Sequence, residues 1–181
     1  MAYNKFFPTS NDPFLLADAD MALAKFGHLN SLIDYVNQIG LGTVNTATAA
    51  VSLTTSQSGN TIFLAKADGI TYTLPATNQV TIGTNYKFIV TTTVTSNAYI
   101  IQTGAATDFL NGVILAGLAT GAVNNTTMVG NGTSHVKFTM NGTTKGGLAT
   151  AEITAVCTGV GQWYVTGRTL YTGSIANPFS T

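Results

Sequence analysis

From residue 44 onward the chain is a series of short runs in which apolar and polar residues alternate, punctuated by turn signals every 8 to 12 residues. A period of two belongs to a strand, because successive Cβ atoms point to opposite faces of a sheet. The candidate strands are 49–54, 61–65, 70–74, 85–95, 98–103, 112–116, 135–140, 148–157 and 161–166. Ser58-Gly59-Asn60, Asp68-Gly69, Ser96-Asn97, Asn111-Gly112, Asn141-Gly142 and Gly159-Val160-Gly161 separate them. No helical pattern intervenes, which indicates a sandwich, a jelly roll or a barrel. Alternation puts Tyr86, Phe88 and Val90 on one face, and Val136, Phe138 and Met140 on another, as core candidates. Composition agrees: 32 Thr suit strands, while 19 Gly and 15 Asn suit turns.

The first 40 residues read differently. Residues 1–17 form an extended N-terminal arm with Tyr3, Phe6, Phe7 and Phe14 among Pro8, Pro13 and polar residues, and with no periodicity. Aromatic side chains cost free energy when left in water, so the arm is expected to dock on another surface. Residues 18–40 read as an α-helix, with Asp18 or Asp20 as N-cap and Gly40 as the stop. Ala19, Ala22, Phe26, Leu29, Ile33 and Val36 recur at steps of 3, 4, 3, 4, 3, the rhythm of a coiled-coil seam. Leu23 and Leu32 widen that seam, which suits a three-helix contact or packing under a sheet. Phe26, Leu29, Ile33 and Val36 are the expected trimer contacts.

Only 7 basic and 7 acidic side chains serve 181 residues, for a formal charge of zero. The basic patch that a phosphate backbone requires is missing, so no nucleic-acid partner is expected. At 45% hydrophobic the chain can bury a core. The N-terminus has no apolar signal-peptide core and no run approaches 18 apolar residues, so neither secretion by that route nor a membrane partner is expected. Residues 35–65 and 109–136 contain no Lys, Arg, Asp or Glu at all. Exposed strand edges are normally protected by charge or proline. Uncharged stretches of this length therefore suggest that another subunit or surface covers them.

Chemistry is sparse. Asp68, Asp108 and Glu152 are the only acids after residue 44. A glycosidase needs two facing carboxylates, but Asp68 belongs to an Asp-Gly turn and the others are expected on the surface or in turns. His28, His135 and Cys157 lack metal-ligand spacing, and Cys157 reads as a small apolar strand residue. There is no GxSxG elbow and no GxxxxGK[ST] loop. No enzyme activity, cofactor, metal or small-molecule substrate is expected. Asn-x-Thr sequons at Asn124, Asn125, Asn131 and Asn141 arise by chance in a chain so rich in both residues. Trp163 and Tyr164 could stack on a sugar, but alternation turns them to opposite faces.

The run Ser58-Gly-Asn-Thr-Ile-Phe-Leu-Ala-Lys-Ala-Asp68-Gly-Ile-Thr-Tyr-Thr-Leu74-Pro75 is followed by Gly83-Thr-Asn-Tyr-Lys-Phe-Ile-Val90, Ser96-Asn-Ala-Tyr-Ile-Ile-Gln-Thr103 and Gly161-Gln-Trp-Tyr-Val-Thr-Gly167. Over about residues 50–167 this order resembles the β-domain of capsid decoration (cement) proteins of tailed bacteriophages, and the related head-fibre and tail-fibre domains. The helix stretch Lys25-Phe-Gly-His-Leu-Asn-Ser-Leu-Ile-Asp-Tyr-Val-Asn37 resembles a phage structural N-terminus. The resemblance implies a jelly-roll-like β-sandwich over 44–181, a homotrimer, and a major capsid protein as partner. It places the chain on the outer capsid surface of a virion, after synthesis in the host cytoplasm. The expected role is a structural protein for capsid stabilisation, with Tyr3, Phe6, Phe7 and Phe14 touching the capsid. The alternative is a fibre or adhesin module that binds a host receptor or glycan.

Overall fold

Alternation of side chains becomes alternation of burial. The computed structural model describes residues 43–45, 49–121 and 125–181; side-chain detail begins at residue 49. The expected arm at 1–17 and helix at 18–40 lie outside the described residues. The described strands are β1 (Thr43–Asn45), β2 (Val51–Ser52), β3 (Thr61–Leu64), β4 (Ile70–Thr73), β5 (Asn85–Val90) and β6 (Tyr99–Gln102). They continue as β7 (Phe109–Leu118), β8 (Asn125–Asn131), β9 (Lys137–Met140), β10 (Glu152–Gly159), β11 (Gln162–Tyr171) and β12 (Phe179–Ser180). Two 3-10 turns, Thr55–Gln57 and Thr77–Gln79, punctuate the loops.

The protein is mainly β, with two sheets that sandwich a common core. One sheet has seven strands in the order β1-β3-β5-β10-β11-β7-β8, and the other has five, β12-β9-β6-β4-β2. From β1 to β6 the chain changes sheet at every strand, so neighbours within each sheet run parallel. The β10–β11 hairpin then fills the space between β5 and β7, antiparallel to β5 and parallel to β7. Five of the ten strand pairings are parallel. The Greek keys of a jelly roll are antiparallel, so the jelly-roll-like connectivity is not confirmed. A side-chain period of two specifies which face a residue takes and says nothing about which strand lies next to it.

The core lies between the sheets. Tyr86, Phe88 and Val90 of β5 are buried, as are Phe138 and Met140 of β9, whereas Val136 precedes that strand and is only half-buried. Tyr72 of the five-stranded sheet meets Phe88 of the seven-stranded one edge-on, with ring centroids 5.6 Å apart. Trp163 packs on Tyr86 at 5.9 Å, and Cys157 fills a small buried position on the strand beside it. Phe179 closes the far side against Phe138 at 5.0 Å. Burial pushes the Tyr72 and Tyr86 hydroxyls up to about 12, with smaller contributions from Tyr99 and Cys157 respectively.

Among the differences from the expected strands, two have clear physical reasons. The run 85–95 stops at Val90, because Thr91 and Thr92 both donate to the Leu64 carbonyl and turn the chain. Val94 then folds inward as a buried plug. β8 lies where no strand is expected. Its sequence, Asn-Thr-Thr-Met-Val-Gly-Asn, pairs in register with β7 from Asn131 opposite Asn111 to Asn125 opposite Gly117.

Candidate functional site

The three neighbouring strands β11, β7 and β8 form the end of the seven-stranded sheet, and their two faces differ sharply. Inward they bury Trp163, Val165, Leu110, Ile114 and Met128. Outward they carry Tyr164, Val113, Leu115, Val129 and Leu170, each between 37% and 52% exposed. Register brings these outward residues into rows. Val113 sits between Val129 and Thr166, and Leu115 between Thr127 and Arg168. Asn111 separates Tyr164 from Asn131. The face is therefore aliphatic at its centre and fringed by hydroxyls and amides.

Backbone approaches backbone closely between β7 and β11. Gly112 of β7 has φ +140°, and a Cβ there would lie 2.0 Å from the Val165 carbonyl oxygen of β11. Only glycine fits that contact. Charge begins at the inner border of the face. Lys87 Nζ and Arg168 lie 2.7 and 3.4 Å from the two carboxylate oxygens of Glu152, across three adjacent strands. The hydrogen bond from Lys87 holds the Glu152 carboxyl below its ordinary value, with Arg168 adding to it.

The other two acids of the β-region have their own tasks. Asp68 sits in its turn beside Lys66, at 3.4 Å. Asp108 closes a turn, its N–H donating to the Ala105 carbonyl, yet it is buried, at 3% exposed. Its carboxylate accepts from the Thr77 N–H at 2.8 Å and from the Thr77 hydroxyl at 2.6 Å, while that hydroxyl accepts from the Gly161 N–H at 2.7 Å. One carboxylate thus ties the 3-10 turn, the approach to β7 and the β10–β11 turn together. Each of the three acids serves a different place in the scaffold. Among the described residues, no group of three or more His, Cys, Asp or Glu converges as a metal site would require.

Asn131 and Asn141, expected as chance sequons, share a structural role. The Asn131 side-chain oxygen accepts from the backbone of Thr133, Ser134 and His135, and that of Asn141 accepts from Thr143 and Lys145. Each amide also donates to a nearby hydroxyl, of Ser134 or Thr144. The repeated Asn-Gly-Thr-[Ser/Thr] was the available sequence signal for these two clasped loops.

Trp163 is fully buried and Tyr164 half-turned to solvent, as alternation requires, so the pair forms no double stacking platform. An open groove of about 710 Å³ lies elsewhere, lined by Thr55, Ser58, Asn78, Gln79, Thr81 and Ile82 among others. A smaller groove of about 280 Å³ runs beside β8, between Thr126–Val129 and Ile175–Asn177. The expected capsid contacts Tyr3, Phe6, Phe7 and Phe14 and the expected trimer contacts Phe26, Leu29, Ile33 and Val36 lie outside the described residues. The outward face was foreshadowed by the absence of charge over 109–136 and by the alternation that turns Tyr164 away from Trp163; β8, where no strand was expected, adds Val129 to Val113 and Leu115 of β7 and to Tyr164 and Leu170 of β11. No helix among the described residues is long and apolar enough to cross a membrane. No family model, no curated protein and no solved structure matches the chain.

Proposed function

We propose that this chain is a non-enzymatic virion structural protein, a homotrimeric decoration protein that binds the outer surface of a capsid and stabilises contacts between major capsid subunits. The observation that carries the reading is the outward face of β11, β7 and β8, an apolar surface whose β7 and β8 residues fall within the segment without a charged side chain from 109 to 136. Fully burying one large apolar side chain is worth about 1.5 to 3 kcal/mol, so covering the exposed remainder of these five offers roughly 3 to 7 kcal/mol before ordering costs. Repetition over a shell multiplies that gain. In this reading the aromatic arm lies across a capsid subunit and the helix gathers three copies.

Quantifying the protein in purified particles tests the role. Copies in proportion to the capsid lattice support it, and a single small set per particle overturns it. One observation favours the alternative of a receptor- or glycan-binding fibre module: the groove of about 710 Å³ is lined largely by hydroxyls and amides. A saturable glycan-array signal would favour that alternative. Loss of the signal in Tyr164→Ala would assign it to the exposed aromatic, and loss in Asn78→Ala to the groove.

A further inference from the structure

We infer that the free edge of β8 is where a second copy of this chain adds its own β8, antiparallel, across a two-fold axis at Met128. The backbone of β8 shows which groups are on offer. The Gly132 N–H donates to the Leu110 carbonyl, so the even-numbered residues of β8 direct their backbone groups to β7. The odd-numbered residues face away from β7. In agreement, the Asn131 N–H turns outward to His135 Nδ1 at 3.1 Å, and the Val129 carbonyl meets only the Asn177 amide, at 3.5 Å. β8 ends the seven-stranded sheet, and no described strand pairs with its other side.

Such an edge normally carries lysine, proline or a bulge to prevent strand addition. β8 has none of these: it is uncharged, lacks proline and pairs with β7 without a register shift, and the neighbouring segment Ile175–Asn177 leaves an open groove beside it, reaching the edge through the Asn177 amide. The second copy is the favoured occupant because the strand is complementary to itself. Centring the two-fold on Met128 pairs Thr127 with Val129 of the second copy; both direct their N–H and C=O away from β7, and the Val129 carbonyl exchanges the Asn177 amide for the new partner. Four backbone hydrogen bonds form in this way. On the outer face, Thr127 meets a Val129 and Asn125 meets an Asn131, which are β-branched and amide pairs of the kind that stabilise sheets. No like charges oppose each other anywhere in the contact. The groove of about 280 Å³ beside Met128 and Ile175 leaves space for the inward side chain at the centre of the incoming strand. An isologous contact of this kind closes after two copies, so it joins pairs of subunits or pairs of trimers and does not depend on the virion role.

The test uses the full chain, with mass measured by light scattering and amide exchange read at Thr127 and Val129. The expected result is protection of both amides in the assembled protein, and a halving of its mass with loss of that protection in Thr127→Lys. Val160→Lys, in the exposed β10–β11 turn, is expected to leave mass and protection unchanged. An unaltered mass in Thr127→Lys overturns the inference, as does a wild-type monomer whether or not its amides are protected. Exchange on the wild-type chain decides the case even if Thr127→Lys fails to fold, because rapid exchange at Thr127 and Val129 in the assembly also overturns it.

Discussion

Replacing Asp108 with alanine removes the acceptor that joins three segments distant in sequence. Thr77 lies 31 residues away and donates both its N–H and its hydroxyl, and the same hydroxyl receives the Gly161 N–H from 84 residues further along. Thr77 is 2% exposed, so water cannot take over these bonds without opening the loops. A hydrogen bond to a charged group contributes about 1.5 to 3 kcal/mol, and Asp108→Ala loses two, for an expected cost of about 3 to 5 kcal/mol. At roughly 2 to 4 °C per kcal/mol for a chain of this size, the melting temperature should fall by about 6 to 20 °C. Asp108→Asn keeps one acceptor and should cost about half as much. Urea denaturation of Asp108→Ala, Thr77→Val and the double variant completes the cycle. Both single changes remove the hydroxyl–carboxylate bond, so the double loss should fall short of the sum by about 1 to 3 kcal/mol. A cost below about 0.5 kcal/mol for Asp108→Ala, the range of an ordinary surface change, would refute the reasoning, as would strict additivity.

Adjacent positions on β11 should respond oppositely: Trp163→Ala is expected to cost about 3 to 5 kcal/mol by urea denaturation, and Tyr164→Ala about 0.5 kcal/mol or less. Gly112→Ala sets a Cβ 2.0 Å from a backbone oxygen at φ +140°, and should destabilise by about 3 kcal/mol or more, read as a lower urea midpoint. The Tyr72 and Tyr86 hydroxyls are raised from an ordinary 10.0 to about 12, so the folded protein holds those protons more tightly than the unfolded chain. Their contribution to stability is complete below pH 10.0 and lost as the pH rises towards about 12. Stability curves across that window should fall, and tyrosinate absorbance should show late ionisation of Tyr72 and Tyr86, with Tyr99 also delayed by burial.

Which residues face the core was legible wherever alternation was strict. Tyr86, Phe88 and Val90 needed nothing beyond the period of two, and neither did the opposite fates of Trp163 and Tyr164. β8 was obscured because its inward positions are Thr126, Met128 and Gly130, of which only Met128 reads as core. At Gly130 a Cβ would come within 2.8 Å of the Leu110 carbonyl oxygen and 2.9 Å of the Phe179 ring, the latter some fifty residues later in the chain. Strand order was not legible, since β3 finds β5 and β7 finds β11 through packing that no local pattern encodes. Asp108, expected on the surface or in a turn, does close a turn, but its burial was not legible for a similar reason: its partners are set by the fold and not by its neighbours in sequence. The outward apolar face was half legible, as a stretch of missing charge and the outward turn of Tyr164; that β7 lies between β11 and the unrecognised β8, which gathers these residues on one face, was not.

The most direct measurement is a reconstruction of the intact particle at a resolution that resolves strands. A decoration role predicts trimeric density for this β-sandwich at repeated positions over the outside of the shell, with each copy bridging adjacent capsid subunits. Density confined to the tip of a fibre, or absence of the protein from the particle, would contradict it.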